Sequence, residues 1–228
     1  MTPGILYIVA TPIGNLEDVS GRARSVLSSV DMVACEDTRV SKKLLSAIGF
    51  RAKTVSYHQH SKTAKTDAII GRLRAGEDIA LISDAGTPGV SDPGGKLVEE
   101  AIRVLPGARV VPIPGPSAIM AALSISGFAA DAFVFSGWPP HKKGRETWFR
   151  ELTQERRVVV WYESVHRIEK ALQKLVELCP ERKMMLAREL TKQFETIYRG
   201  APDEVLAELR QDTIKGEFVV VLDRNRKS

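Results

Sequence analysis

The segment IALISDAGTPGVSDPGG, Ile79 to Gly95, joins a short apolar run to a loop of glycine, proline and aspartate. A brief, fully apolar run that stops at such a loop reads as a strand buried on both faces. A helix predicted over Lys96–Leu105 and a strand over Arg109–Ile113 complete a strand–helix–strand unit. The same rhythm holds toward the N-terminus. Ile5–Ala10 reads as a strand, Val19–Val30 as a helix and Asp31–Cys35 as a strand. Thr38 is the expected cap of a helix that ends at Gly49. Lys53–Tyr57 reads as a weaker strand, and Thr66–Ala75 as a helix stopped by Gly76. This alternation predicts an α/β fold with a mostly parallel sheet and helices on both faces.

Pro112, Pro114, Gly115 and Pro116 interrupt the pattern, so the expected domains are 1–115 and 116–228. The second restarts with a helix over Ser117–Ser126. Strands are expected over Phe133–Ser136, Val158–Tyr162, Met184–Arg188, Thr196–Tyr198 and Glu217–Leu222. Helices fit Arg145–Glu155, Val165–Leu178 with Ser164 as cap, and Pro202–Arg210 with proline in the first turn. Met184–Arg188 and Thr196–Tyr198 lie close in sequence, which predicts an antiparallel pair and therefore a mixed sheet with helices.

Composition narrows the function classes. The chain has 228 residues, 43% hydrophobic and 27% charged, which excludes general disorder. Its net charge of +5 is shared by both halves, so neither is a basic tail. Cys35 and Cys179 are far apart and form no metal-ligand spacing, which suits a reducing cytoplasm. No apolar run approaches the roughly 20 residues a membrane helix requires. The N-terminus runs straight into a strand without a basic segment, so it reads as structure rather than as a leader.

Three loops, Thr11–Ser20, Ser83–Gly95 and Pro112–Ala118, each border an apolar strand. In open parallel sheets, ligands sit beyond the carboxyl ends of strands. Glycine and proline also simply turn a chain, but three such loops at strand ends favour a ligand cleft. None matches GxGxxG or GxxxxGK[ST], which argues against dinucleotides and nucleoside triphosphates. The second loop carries Asp84 and Asp92 and no Lys or Arg, so it suits a ligand with a cation or sugar hydroxyls rather than a phosphate. Glu36-Asp37-Thr38-Arg39 reads equally as an acid/base site or as a helix N-terminus with favourably placed acids. His58 and His60 lack companions for a metal site. The run His141-Lys142-Lys143-Gly144-Arg145, between Trp138 and Trp148, reads either as a solvated loop or as a contact for RNA phosphates and bases.

Several segments are familiar together. LYIVATPIGNLEDVS (Leu6–Ser20), EDTRVSKKLL (Glu36–Leu45), SDAGTPGVSDPG (Ser83–Gly94) and PIPGPSAIMAALSISG (Pro112–Gly127) resemble the ribosomal RNA small subunit methyltransferase I family, within the tetrapyrrole-methylase-like class. So do GWPPHKKGR (Gly137–Arg145), YESVHR (Tyr162–Arg167), ARELTKQFETIYRG (Ala187–Gly200) and KGEFVVV (Lys215–Val221). The resemblance implies a two-domain α/β homodimer in the cytoplasm with S-adenosylmethionine in a cleft between the domains. It implies 2'-O-methylation of the decoding-centre cytidine of 16S rRNA in the small ribosomal subunit. Relatives with this fold methylate precorrins, uroporphyrinogen or diphthamide precursors; a tetrapyrrole methyltransferase and a non-catalytic ribosome-assembly factor are the alternatives.

By position, the resemblance assigns cofactor contacts to Pro12, to Asp84, Ala85, Gly86, Thr87, Pro88 and Ser91, and to Gly115, Pro116 and Ser117. Glu36 and Asp37, with Arg39, are the expected catalytic groups. Lys142, Lys143 and Arg145 are the expected RNA contacts, and no metal is expected. Two departures stand out. Val165 occupies a position that is usually proline in the family, and the chain ends at Ser228, where members commonly continue with a small helical segment.

Overall fold

The computed structural model describes residues 2–58, 63–92 and 94–225, so His60 lies outside the described residues. The chain divides into two units, the first ending at Ser117 and the second beginning at Ala118.

The first unit holds β1 (Ile5–Val9), α1 (Gly21–Ser29), β2 (Met32–Cys35), α2 (Thr38–Ala47), β3 (Thr54–Ser56), α3 (Thr63–Arg74), β4 (Ile79–Ile82), α4 (Gly94–Val104) and β5 (Arg109–Ile113). Its strands form one sheet in the order β3-β2-β4-β1-β5, and every pairing is parallel. Side chains along a strand point alternately to opposite faces. Met32, Ala34, Ile79 and Leu81 pack on one face with Ile69 and Leu73 of α3 and Leu97 and Ala101 of α4. Val33, Cys35, Ala80 and Ile82 pack on the other with Ala23 and Leu27 of α1 and Leu45 of α2. Both faces are covered, which is why these strands contain no polar alternation.

The helix starts differ in detail from expectation. Ser20 caps α1, its hydroxyl accepting from the Ala23 amide at 3.1 Å, after a short 3-10 turn over Leu16–Asp18. Asp37, not Thr38, caps α2: its carboxylate accepts from the Arg39 amide at 2.7 Å, and Thr38 is the first helical residue. A carboxylate serves there as well as a hydroxyl and adds a favourable charge at the helix N-terminus.

The second unit holds α5 (Ala118–Ser126), β6 (Phe133–Phe135), α6 (Arg145–Gln154), β7 (Val158–Ser164), α7 (Ile168–Leu178), β8 (Met184–Arg188), β9 (Thr196–Gly200), α8 (Pro202–Gln211) and β10 (Glu217–Leu222). Its sheet runs β6-β7-β10-β8-β9, with β6 parallel to β7 and the other pairs antiparallel. Trp161, Leu186, Phe218 and Val220 form its core with Phe149 of α6, Leu172 and Leu175 of α7 and Leu209 of α8. Helix α5 packs against β10, β7 and β8.

The expected helix over Val165–Leu178 starts three residues later, and Ser164 is not its cap. Register explains this: Ser164 pairs with Glu217, so β7 continues two residues past Tyr162. Arg167 occupies the cap position without a side-chain cap bond.

Candidate active site

The direction in which each connection leaves the parallel sheet shows where a ligand crevice can open. The connections after β1 and β2 run through α1 and α2 on one face, and those after β3 and β4 through α3 and α4 on the other. Strand β4 lies between β2 and β1, so the chain leaves β4 toward one face and both neighbours toward the opposite one. A crevice therefore opens beyond the carboxyl end of β4 on each side. The residues that follow these strands are Glu36 and Asp37 after β2, Ser83–Asp92 after β4, Thr11 and Pro12 after β1, and Pro114–Ser117 after β5.

Backbone bonds tie these loops together. The Thr11 amide donates to the Gly86 carbonyl at 2.9 Å, and the Gly86 amide returns a bond to the Thr11 carbonyl at 3.1 Å. The buried Thr11 hydroxyl donates to the Ser83 carbonyl at 3.1 Å. The Thr87 hydroxyl reaches the Pro116 carbonyl at 3.2 Å, which links the β4 loop to the β5 loop. Gly86 has φ of +81°, and an added Cβ would lie 3.4 Å from the Ile13 methyl. A Cβ on Gly115 would lie 3.0 Å from that of Ala10. The glycines are required here by handedness at Gly86 and by close approach at Gly115.

Carboxylates dominate the charge. The Asp37 amide donates to Asp84 at 3.2 Å, so the β2 and β4 ends touch. Burial raises the Glu36 carboxyl above the usual range, and the charges of Asp84 and Asp92 raise it further. Partial desolvation of its carboxyl, with the neighbouring Asp37 charge, raises Asp84 against the bond from the Asp37 amide. Asp37 moves the other way, to about 2, because the Arg39 guanidinium and amide both donate to it. Asp92 accepts from the Gly94 amide at 2.9 Å and from the Gly89 amide, which closes the loop. Ser91, beside it, has φ of +61°.

The structure thus brings Glu36, Asp37 and Arg39, the Asp84–Ser91 loop, Pro12, and Gly115–Ser117 to one end of one sheet. Pro12, Gly86 and Pro88 are buried there, whereas Asp84, Ala85, Ser91 and Gly115 are exposed. Thr11 and its hydroxyl bonds were not anticipated. The signal available was only a threonine next to the strand-ending proline.

The basic run of the second unit divides. Lys142 and Lys143 are exposed. Arg145 instead donates to the fully buried Glu163 at 2.8 Å and to the Pro140 carbonyl at 3.3 Å, and stacks over Phe149. Arg167 holds the other Glu163 oxygen at 3.1 Å and donates to the Pro139 carbonyl. Trp138 is exposed, while Trp148 packs edge-on against Phe149 and Trp161. Glu163 was not among the expected site residues, although it lies in the YESVHR segment with its partner Arg167. Among the described residues no group of three or more metal-ligating side chains occurs, and no helix is long and apolar enough to cross a membrane.

Comparison with known proteins gives concordant matches. The family model for Tetrapyrrole (Corrin/Porphyrin) Methylases matches residues 5–206. The chain is 49% identical over 219 residues to a "Ribosomal RNA small subunit methyltransferase I" of Mesorhizobium japonicum, covering 94% of this chain and 74% of that one. It is 46% identical over 222 residues to the protein of that name from Neisseria meningitidis serogroup A, covering 96% and 76%. Among solved structures, a uroporphyrin-III C-methyl transferase from Thermus thermophilus complexed with S-adenyl homocysteine superposes with a TM-score of 0.66. Its identity is 20%, and the match covers 96% of this chain and 97% of that one.

Proposed function

The chain belongs to the tetrapyrrole (corrin/porphyrin) methylase family, among the ribosomal RNA small subunit methyltransferases I, and from that membership we propose that it methylates a ribose 2'-hydroxyl of small-subunit rRNA, at the decoding-centre cytidine, using S-adenosylmethionine. The observation that carries this reading is the pair of carboxylates, Glu36 and Asp84, at the crevices flanking β4.

The donor set fits the cofactor. Between Ser83 and Gly95 the loop offers carboxylates, hydroxyls and backbone groups and no cation, which suits an ammonium, a sulfonium and ribose hydroxyls. Asp84–Pro88, with Ser91, Pro12 and Gly115–Ser117, would hold it. Once bound, S-adenosylmethionine supplies an electrophilic methyl carbon on a sulfonium.

The chain's own groups align the ribose oxygen, exclude water and take its proton. Glu36 is the base: with its pKa raised, it accepts a proton more readily than an ordinary carboxylate does. Asp37 is held ionised by Arg39 and caps α2, so it orders the site rather than taking the proton. Lys142 and Lys143 contact RNA phosphates. The same membership supports a homodimer that works on the small ribosomal subunit in the cytoplasm.

The test uses labelled S-adenosylmethionine with small subunits that lack the modification, naked 16S rRNA and a precorrin-type macrocycle in parallel. The expected product is 2'-O-methylcytidine on the subunits. Label on the macrocycle alone would overturn the RNA reading, and absence of label everywhere would overturn the enzymatic one.

A further inference from the structure

Fourteen aromatic side chains are spread over the chain, and only Trp138 and Phe194, at 48% and 69%, are exposed. Strand topology brings both to one end of one sheet. Trp138 follows β6, and Phe194 lies in the connection from β8 to β9. Register fixes the common end. Tyr162 of β7 donates to the Gly137 carbonyl, Ser164 faces Glu217, Phe218 faces Arg188, and Arg188 faces Thr196. Three to four strand spacings separate the two segments, roughly 14–19 Å.

The backbone that presents Phe194 is constrained. Three non-glycine residues have positive φ among those described; one is Ser91 in the proposed cofactor loop, and the others are Glu189 and Thr191, at +53° and +63°. A β-branched residue in that region is an outlier, and such strain concentrates at functional sites. An apolar ring held in solvent on strained backbone needs a partner to account for it.

Charge indicates what the partner is. The acids at this end are paired within the chain: Glu163 with Arg145 and Arg167, Glu189 and the largely exposed Glu217 with Lys192, Glu195 with the Thr191 amide, Asp212 with Arg188 and the exposed Glu146 with Lys174. Lys142, Lys143 and Lys215 are exposed. Trp138 rests against the Tyr162 ring at 5.3 Å and keeps about half of its surface in solvent. Exposed aromatic faces set among uncommitted cations match single-stranded nucleic acid, whose bases stack while its phosphates pair.

We propose that this end of the mixed sheet is an RNA docking face on which Trp138 and Phe194 each stack an unpaired base, with Lys142, Lys143 and Lys215 on the intervening phosphates. This rests on the rRNA reading and adds to it a second anchoring point, the β8–β9 connection.

The experiment measures binding of a single-stranded 16S rRNA fragment to the full chain, and its mass by light scattering. Phe194→Ala and Trp138→Ala are each expected to weaken RNA about tenfold, with cofactor affinity unchanged. Phe194→Trp should keep wild-type affinity and Phe194→Leu should not, because leucine retains apolar area but cannot stack. Equal affinity for Phe194→Ala and wild type overturns the docking face and leaves the rRNA reading standing. Equal RNA affinity with a change of mass assigns the face to a second copy of the chain and also overturns it. No RNA binding by the wild type overturns the docking face, and methyl transfer to small subunits then decides the rRNA reading separately.

Discussion

The two units each build a polar end on a five-stranded sheet, and they build it in different ways. In the first, loops meet through backbone: the Thr11–Gly86 ladder, the Thr87–Pro116 bond and two glycines where a Cβ would strain or crowd the loops. In the second, the loop after β6 is held by side-chain charge, with Glu163 between Arg145 and Arg167 and both arginines on proline carbonyls. The first method leaves carboxylates uncommitted, as the proposed cofactor site requires. The second consumes its carboxylate and leaves Lys142 and Lys143 exposed, as the proposed RNA contact requires.

The comparison breaks first at Glu36. Glu36→Gln is expected to lower single-turnover methyl transfer by about 10²–10⁴-fold, with cofactor affinity unchanged by calorimetry. Parallel loss of both would make the residue structural. In the second unit, Glu163→Ala strands two largely buried guanidinium groups and should cost about 3–5 kcal/mol. All three tryptophans, Trp138, Trp148 and Trp161, lie in that unit, so fluorescence-monitored urea unfolding reports on it. A change within error would mean that the pair does not hold the loop.

Gly86→Ala forces a side chain into a left-handed conformation, for about 1–2 kcal/mol read by scanning calorimetry. Cofactor affinity should fall with it, and an unperturbed affinity would detach Gly86 from the ligand.

A smaller effect sharpens the acid side of the site. The base must be ionised, so the rate falls as pH drops through the Glu36 pKa, which lies above the ordinary carboxylate value. Asp84→Asn removes a nearby negative charge. At saturating cofactor it should move this limb to lower pH; an unmoved limb would show that another group titrates. The smallest effect separates the basic residues. Replacing Lys142 and Lys143 by alanine should reduce the salt slope of RNA binding by about 1.4, whereas Arg145→Gln should leave it unchanged. An equal loss at Arg145 would restore it as a phosphate contact.

Much of this was legible in the residues. Short apolar strands alternating with helices predicted the parallel sheet, and the apolar run that opens at Ile79 is β4. The antiparallel pairing of β8 and β9 followed from their proximity in sequence. The Gly/Pro/Asp loops were expected at the carboxyl ends of strands, and the structure gathers them at one end of the first sheet.

Other features were not legible because they depend on partners that the fold brings together. That β7 runs to Ser164 is decided by Glu217, across 53 residues, and Glu163 is tolerable in a buried strand because Arg145 arrives on α6 alongside Arg167 from the turn just after β7. Local pattern therefore determined the strands, the helices and the loops at the strand ends of this protein, since hydrophobic period and turn chemistry act over a few residues. Tertiary structure alone decided which carboxylate is raised, which is pinned and which arginine is spent. Those outcomes depend on burial and on the charges brought alongside, and strand order sets both.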